Sequence, residues 1–232
     1  MRSLNPAEAS TAPDTDCIGD AGSPPARETE VTDLTTPGYS IRSAQAEHIP
    51  ALSTIELAAA QLLRGYAQES VLAVTTDERT FADAARDGRL WVASTGNMPV
   101  GFALVEMLAD DLPHLEELDV DPSHGRRGLG TALVRAVCEW ATISGYVMLT
   151  LTTFRAVTWN LPFYARLGFV EIPRETLRPE LAAVVSEEAD RGLDPDTRVV
   201  MGYRCGPPVI RERRSLPRED IATKSRADLD VV

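Results

Sequence analysis

One stretch decides the fold: His114-Leu115-Glu116-Glu117-Leu118-Asp119-Val120-Asp121-Pro122-Ser123-His124-Gly125-Arg126-Arg127-Gly128-Leu129-Gly130-Thr131. Residues 114–120 are typical of a β-strand, which should end at Asp121-Pro122 because proline fixes φ and removes a backbone donor. Residues 129–144 carry apolar side chains at helical spacing, and Gly145 is a natural C-terminal stop. A strand, a turn rich in glycine and arginine, and a helix bring free backbone N–H groups and the positive end of a helix dipole together. The stretch therefore predicts a phosphate site.

The turn fits neither of two common phosphate-binding motifs. Walker A requires Gly-Lys-Ser/Thr, and no lysine follows Gly128 or Gly130. The dinucleotide fingerprint requires a third glycine or alanine where this chain has Leu133. What remains is residues 126–130 opening a helix, with two arginines that add charge-assisted hydrogen bonds to an anion. We expect a pyrophosphate ligand other than that of NAD or ATP.

Two motifs in this order resemble the GNAT superfamily of N-acetyltransferases. The run 120–133 resembles the superfamily's acetyl-CoA motif, Gln/Arg-x-x-Gly-x-Gly/Ala followed by a helix. The run 159–169 is similar to its second hallmark, in which an asparagine precedes a tyrosine and Gly-Phe follows it. One position departs from the pattern, because Gly125 stands where the family usually has Gln or Arg. The cradle works mainly through backbone N–H groups, so this departure removes one side-chain contact. The resemblance covers roughly residues 39–204.

The resemblance implies a mixed α/β (α+β) fold of the GNAT acyl-CoA N-acyltransferase type. Its central sheet is twisted and mostly antiparallel, it is splayed at strands 4 and 5, and helices cover both faces. The resemblance also implies acetyl-CoA as co-substrate, and we expect no metal. Asn160 matches the family residue whose amide bonds the pantetheine arm, with the N-cap of a short helix as the alternative. The implied cofactor-binding residues are Leu118, Val120, Arg126, Arg127, Gly128, Leu129, Gly130, Thr131 and Asn160.

Periodicity and turn residues predict the remaining elements. Helices are expected at 45–63 with Pro50 in the first turn, at 80–86 with Thr80 as cap, at about 158–168, and at 179–191. Strands are expected at 39–42, 90–93, 100–105, 147–152, 169–172 and 198–203.

Composition bounds the domain organisation and the partners. The chain has 232 residues and a net charge of −12, which disfavours nucleic acid and favours a cationic or neutral small substrate. We predict a disordered acidic leader at 1–38, one domain at 39–204 and a flexible tail at 205–232. Three scattered cysteines fit a reducing compartment, and no apolar run is long enough to span a membrane. We therefore expect a cytoplasmic protein without nucleic-acid or membrane partners, and leave a homodimer open.

An amine acceptor must lose a proton before it attacks a thioester, because a lysine-like amine has a pKa of about 10.4. Three residues of the strand before the turn are candidates for the base. His114 occupies the position at which the histone-modifying branch of the superfamily carries its base glutamate. Strand alternation places Glu116 on the same face as His114 and Glu117 on the other face. We rank Glu116 before His114, with Glu117 third and facing substrate; the alternative is that all three lie on an exposed strand end.

Tyr164 matches the family tyrosine that protonates the leaving CoA thiolate. A phenol with a pKa of about 10 can do this for a thiolate with a pKa of about 8.5. The alternative is a tyrosine buried for packing. On the acceptor side, Glu56 either meets a cationic amine or lies on a solvated helix face. Trp91, Phe154 and Trp159 either line a pocket or pack in the core.

The predicted function is transfer of the acetyl group of acetyl-CoA to a primary amine, with a small cationic molecule as acceptor. Two alternatives remain open at this stage. One is a catalytically silent acyl-CoA-binding regulatory module, and the other is an acetyltransferase of peptide or protein amines.

Overall fold

A computed structural model of the chain describes residues 37–206. The predicted leader, except residues 37 and 38, and the predicted tail from 207 onwards lie outside the described residues, as does Cys17. Both expected ends of the domain therefore fall close to the limits of the described segment.

Seven strands of the described segment form one sheet in the order β1-β2-β3-β4-β5-β7-β6. Neighbouring strands are antiparallel except β4 and β5, which are parallel. The strands are β1 (Ser40–Ser43), β2 (Leu90–Thr95), β3 (Met98–Ala109), β4 (Leu112–Val120), β5 (Met148–Phe154), β6 (Phe169–Glu171) and β7 (Arg198–Arg204).

The helices begin and end within two residues of the predicted positions, except that the predicted helix 45–63 is α-helical only over 49–60, with 3₁₀ turns at 46–48 and 61–63. Two further differences concern α2 and the cap of α3. They are α1 (Ile49–Ala60), α2 (Glu69–Leu72), α3 (Glu78–Arg86), α4 (Leu129–Ile143), α5 (Asn160–Arg166) and α6 (Pro179–Asp190). The sequence reasoning missed α2, which is too short for a periodic pattern. The cap of α3 is Asp77 rather than Thr80, because the Asp77 carboxylate accepts the Arg79 N–H at 2.7 Å. No helix of the described segment has the length and apolarity needed to cross a bilayer.

The helices cover both faces of the sheet, which confirms the expected fold class. On one face α4 packs in the largest apolar cluster, with Leu133 and Val137 fully buried. On the other face α1 and α3 pack in a second cluster, which includes Leu52 and Phe81. A third, smaller cluster joins Leu181 of α6 to the sheet on this second face.

The sheet opens between β4 and β5. These strands pair at two positions, His114 with Thr150 and Leu115 with Leu151. Beyond them, in the described residues, β4 stays paired with β3 as far as Val120, while β5 pairs with β7 on its other side. The carboxyl-terminal half of β4 therefore borders a gap in the sheet, as the resemblance implied.

A β-bulge lies in β4 next to this gap. Glu117 faces Leu104 of β3, but Leu115 faces Val105, the very next residue of β3. Glu116 is therefore an extra residue without a partner in the ladder. Such bulges re-aim side chains and are frequent beside active sites.

The bulge corrects the predicted alternation of β4. Strict alternation would place Glu117 on the opposite face from His114. In the ladder, Glu117 is opposite Leu104 and His114 is opposite Glu106. Leu104 and Glu106 are two residues apart on β3 and share a face, so Glu117 and His114 also share a face. Leu118 accordingly packs with Leu115 in the cluster on the α4 face.

Candidate functional site

The loop before α4 adopts the geometry of an anion cradle. Gly128 is the N-cap of α4 with a φ of 79°, and Arg126 has a φ of 58°, so two residues of this loop occupy the left-handed region. The N–H groups of the first turn of any helix have no partner within the helix. Arg126, Arg127 and Gly128 are exposed, whereas Leu129 is 2% exposed and offers only its main chain. The residues predicted from the motif therefore come together at one helix N-terminus.

Gly125 has a steric reason for its departure from the family pattern. A Cβ at this position would lie 3.2 Å from the carbonyl oxygen of Pro122, which is a tight contact with backbone. Upstream of it, Asp121 caps a short 3₁₀ turn by accepting the Ser123 N–H at 2.8 Å.

Tyr39, which the sequence reasoning did not single out, supports the cradle. Its hydroxyl lies 2.9 Å from His124 Nδ1, and the guanidinium of Arg127 lies 6.0 Å from the centre of its ring. Tyr39 and His124 are 85 residues apart in the chain, so no spacing in the sequence could have revealed this contact.

Asn160 is not the N-cap of α5. The N-cap residue is Trp159, which makes no side-chain capping hydrogen bond. The Asn160 amide instead donates to Thr153 Oγ1 at 3.0 Å and ties the start of α5 to β5. The N-cap alternative for Asn160 is therefore wrong, and its role towards pantetheine stays a prediction.

Tyr164 lies against the aromatic side chains of Phe163 and Phe169, at centroid distances of 4.9 and 5.8 Å. Burial raises the pKa of its phenol, and the charges of Asp119 and Glu117 raise it further. The phenol is thus protonated at neutral pH and close enough to two β4 carboxylates to feel their charge.

Glu117 and Asp119 lie on the same face of β4 as each other, two residues apart. Burial, and after it the charge of Glu56, raise the pKa of Asp119 to about 8. Burial also raises the pKa of Glu117 well above its ordinary value, followed by the charges of Asp119 and Glu56. Asp119 Oδ2 is buried and has no hydrogen-bond partner among the described residues. Asp119 was missed, although its position two residues after Glu117 is a signal that strand alternation could have used.

Glu56 is buried at 8% exposure, so the solvated-face alternative for this residue is wrong. The Thr76 N–H lies 3.0 Å from both carboxylate oxygens, and the Thr76 hydroxyl donates to Oε1 at 3.0 Å. Burial raises the pKa of Glu56 and these hydrogen bonds oppose the rise. Glu56 thus ties α1 to the chain before α3 while its charge acts on the two β4 carboxylates.

His114 is fully buried rather than exposed at a strand end. Its Nδ1 lies 2.9 Å from Thr150 Oγ1, and the Thr150 hydroxyl in turn donates to the Pro113 carbonyl at 3.2 Å. Burial is the main reason that the pKa of His114 is lowered to about 4. The charge of Glu188 raises this pKa by a smaller amount, and the charge of Arg198 lowers it. Its side chain is therefore neutral at pH 7.

Glu116 is a neighbour of His114, with 3.9 Å between Glu116 Oε2 and His114 Nε2, and 25% of its side chain is exposed. Burial raises the pKa of Glu116, and the nearby charge of Glu106 raises it further. Glu116 lines a cavity beneath α6, together with Glu106 and Glu187. The predicted base candidates thus lie on one face of β4. Glu116 lines the cavity beneath α6, whereas Glu117 is close enough to α1 for the charge of Glu56 to raise its pKa.

A buried ion pair that the sequence reasoning missed anchors α6 beside this face. Arg198 of β7 donates from Nε to Glu188 Oε2 at 2.9 Å and from Nη2 to Thr152 Oγ1 at 2.9 Å. The guanidinium lies 4.5 Å from the centre of the Phe154 ring, so Phe154 belongs to this contact. Burial alone would raise the pKa of Glu188, but the hydrogen bonds and charge of Arg198 lower it.

The remaining aromatic candidates divide between core and surface. Trp91 is 4% exposed and packs against Trp140 at a centroid distance of 5.5 Å, so it belongs to the core. Trp159 is 48% exposed and makes an edge contact with Tyr66 at 6.0 Å. No group of three or more His, Cys, Asp or Glu within residues 37–206 is placed to hold a metal ion.

Residues 55–169, which include the cradle and Tyr164, match the sequence profile of the acetyltransferase (GNAT) family. The chain belongs to the GNAT family. Its GNAT domain has the fold of the PaiA N-acetyltransferase from Thermoplasma acidophilum, solved in complex with coenzyme A. The TM-score is 0.56 at 14% sequence identity, and the match covers 72% of this chain and 98% of that one.

Curated relatives resemble shorter parts of this GNAT chain. It is 39% identical over 56 residues to glucosamine 6-phosphate N-acetyltransferase of Trypanosoma brucei brucei, which is 24% of this chain and 36% of that protein. It is 31% identical over 84 residues to N-acetyltransferase family 8 member 3 of Mus musculus, which is 34% of this chain and 37% of that protein. The chain therefore spans little more than a third of the length of these relatives.

Proposed function

We propose that this chain is an acetyl-CoA-dependent N-acetyltransferase whose acceptor is the primary amine of a small cationic molecule. The observation that carries the proposal is the gap between β4 and β5. On one side it lies next to the helix N-terminus at Gly128, and on the other it borders the carboxylates of Glu117 and Asp119. The family match and the coenzyme A complex of the Thermoplasma acidophilum protein support acetyl-CoA as co-substrate.

The cradle would hold the pyrophosphate of acetyl-CoA through the N–H groups of residues 126–131, with the two arginines adding charge. Leu118 and Val120 pack their side chains against the α4-face cluster, so their main chain is what they offer along the gap. We assign that main chain to the pantetheine arm and the thioester carbonyl. One N–H aimed at a developing oxyanion contributes about 3 kcal/mol. Asn160 would add a side-chain contact to the pantetheine.

Among the base candidates we now favour Glu117 over Glu116 and His114. Glu117 and Asp119 are close enough to Tyr164 to raise the pKa of its phenol, whereas His114 is fully buried and bonded to Thr150. A carboxylate whose pKa is raised towards neutrality is a better proton acceptor than one with an ordinary pKa.

In the proposed reaction the ammonium of the acceptor gives a proton to the Glu117–Asp119 pair. The neutral nitrogen forms a bond with the thioester carbonyl carbon, and the carbon–sulfur bond breaks. The nitrogen of the adduct loses its second proton to solvent as the amide forms. Tyr164 donates its proton to the departing thiolate and recovers one from solvent, and the Glu117–Asp119 pair releases to solvent the proton that it took from the ammonium. The burial that keeps the phenol protonated suits this role of Tyr164 as an acid.

The charges around the site support a cationic acceptor. Glu56, Glu117 and Asp119 form an acidic cluster on the second face. The charge of Glu56 raises the pKa of both Glu117 and Asp119, and the charge of Asp119 raises the pKa of Glu117. An ammonium ion would relieve that repulsion, whereas an anionic acceptor would increase it.

Free-thiol release from acetyl-CoA, measured across free amines and peptides with mass spectrometry of the products, tests the proposal. We expect thiol release and N-acetylated product with small cationic amines. Acetyl-CoA binding in a calorimeter without thiol release from any acceptor would favour the silent binding module instead. Turnover of peptides alone would favour the peptide acetyltransferase.

A further inference from the structure

A cavity of about 300 Å³ lies between α6 and the strands β3 and β4. Glutamates dominate its polar lining. Glu180 is already paired with Arg178, whose Nη2 lies 3.1 Å from Glu180 Oε1. The lining residues are Glu106, Met107, Leu108, Glu116, Glu180, Ala183, Val184, Glu187 and Arg191. Glu106, Glu116 and Glu187 thus face the single positive charge of Arg191 in this lining, which leaves an excess of negative charge.

The buried imidazole behind this cavity lacks a hydrogen-bond donor. The Thr150 hydroxyl donates to the Pro113 carbonyl, so it accepts the hydrogen bond from His114 Nδ1–H. This assigns the neutral tautomer whose Nε2 is an acceptor. His114 Nε2 is buried without a partner in the described segment, and it points towards Glu116 Oε2, 3.9 Å away. An unpaired acceptor therefore lies behind Glu116, the carboxylate that lines the cavity, and a donor that contacts both groups would satisfy both.

The bulge of β4 places a residue of this cavity next to a residue of the proposed reaction site. Glu116 lines the cavity, and the next residue, Glu117, belongs to the carboxylate pair near Tyr164. Both side chains lie on the face of β4 that carries His114, as described above. Glu116 of the cavity and Glu117 of the reaction site are adjacent, so their Cα atoms lie about 3.8 Å apart, and two extended side chains add to that length. An extended diamine with four or five methylene groups fits into that length.

We propose that the cavity beneath α6 binds the distal ammonium of a linear diamine or polyamine acceptor, whose proximal amine reacts beside Glu117 and Asp119. This inference rests on the proposed acetyltransferase function and narrows its substrate class. Ammonium groups are donors only, so they match a cavity lined by carboxylates, with the unpaired acceptor His114 Nε2 lying behind Glu116. A monoamine of the same length would leave the cavity without its charged partner.

The test compares diaminobutane and diaminopentane with n-butylamine and n-pentylamine as acceptors for the full chain. We expect kcat/KM to be at least about 10-fold higher for each diamine than for the matching monoamine, because only the diamine places a charge in the cavity. This exceeds the factor of about 2 expected from the two equivalent ends.

Glu187→Gln removes one cavity carboxylate without touching the reaction site, and Glu187 is exposed, so the variant should fold. We expect this variant to raise KM for diaminobutane about 10-fold, at constant kcat, and to leave n-butylamine turnover unchanged. Glu139 is an exposed glutamate on α4, and Glu139→Gln is the matched control. It should leave KM and kcat unchanged for both diaminobutane and n-butylamine.

The outcomes separate this inference from the proposed function. If no amine releases thiol, the proposed function fails. If diamines and monoamines are used with equal kcat/KM, and Glu187→Gln affects neither, the cavity inference is overturned while the acetyltransferase stands. Calorimetry of diaminobutane with the CoA-loaded protein gives a readout without turnover, and we expect Glu187→Gln to weaken that binding.

Discussion

At the scale of single residues, one extra residue in β4 decides which carboxylates face the gap. The bulge at Glu116 turns Glu117 onto the face of His114, and Asp119 follows two residues later. Burial and the charge of Glu56 then raise the pKa values of Glu117 and Asp119, and Asp119 raises that of Glu117 further. A group that must take a proton near neutral pH gains from both effects.

Tyr164→Phe tests the proposed acid. We expect kcat to fall by about 10- to 1000-fold without being abolished, because the thiolate can leave unaided and the tyrosine only assists it. Acetyl-CoA affinity, measured by calorimetry, should stay within about 3-fold, since the ring packing against Phe163 and Phe169 is kept. An unchanged kcat would remove Tyr164 from the mechanism.

The pH profile of kcat/KM tests the proposed base. A carboxylate accepts a proton only when it is ionised, so activity should rise with pH as the Glu117–Asp119 pair ionises. The rise should lie well above the ordinary carboxylate range of about 4, because the pKa of Glu117 is raised well above its usual value and that of Asp119 is raised to about 8. In Asp119→Asn one negative neighbour is gone, which lowers the pKa of Glu117 and moves the rising limb to lower pH. Abolished turnover in Asp119→Asn together with an active Glu117→Gln would transfer the base role to Asp119.

The same substitution makes a stability prediction with a defined sign. The folded pKa of Asp119 is about 8 and lies above the unfolded value, so the folded state binds a proton that the unfolded state releases. Stability from this group is therefore full below about pH 4 and is lost as pH rises through about 8. Asp119→Asn should raise the free energy of unfolding at pH 9, by about 1 kcal/mol or more, and leave it nearly unchanged at pH 4. Urea denaturation at both pH values measures this.

At the scale of elements, α6 is held over the second face by charge as well as by apolar contact. Leu181 and Val184 bury their side chains, and Glu188 reaches Arg198 on β7. The side chains of Arg198 and Glu188 are 9% and 6% exposed, so water stabilises neither charge well and each charge is stabilised mainly by the other. The position of α6 sets one wall of the cavity and, through Arg198, part of the electrostatic field at Glu116 and Glu117.

Glu188→Gln should destabilise the fold by about 3–5 kcal/mol, because it leaves the buried Arg198 without a counter-charge. The matched control is Glu171→Gln, which breaks the pair with Arg155, whose side chains are 51% and 41% exposed. That pair is screened by solvent, so its loss should cost less than about 1 kcal/mol. Urea denaturation of both variants measures the difference, and equal losses would contradict the burial argument.

At the scale of the whole molecule, the first and last strands of the described segment both belong to the one sheet. The strand β1 starts at Ser40 on one edge, and β7 ends at Arg204 between β5 and β6. Both ends of the proposed domain are therefore tied into the sheet. We propose that residues 37–206 suffice for folding and for binding acetyl-CoA.

A protein trimmed to residues 37–206 tests this. We expect it to unfold in a single transition and to bind acetyl-CoA with a Kd within about 3-fold of the full chain. A protein ending at residue 197 is the contrasting case, because it lacks β7 and leaves β5 and β6 without their shared partner. It should not fold. Loss of binding in the 37–206 protein would show that the ends contribute to the site.

The sequence by itself determined what depends on neighbours in the chain. Four local features could be predicted: the end of β4 before Asp121-Pro122, the turn at Gly128, the helix from Leu129, and the position of Tyr164 in a short helix before Gly168. Proline, glycine and helical periodicity act over a few residues, so their effects can be read locally.

The tertiary structure alone decided the rest. The bulge at Glu116 arises from pairing with β3, and strand alternation along β4 could not reveal it. The contact of Arg198 with Thr152 joins residues 46 apart, and Glu56 meets Thr76 20 residues away. The raised pKa values of Glu117 and Asp119 come from burial by elements distant in the chain. Burial and charge act through space, so the acceptor side of this site exists only once the sheet has formed.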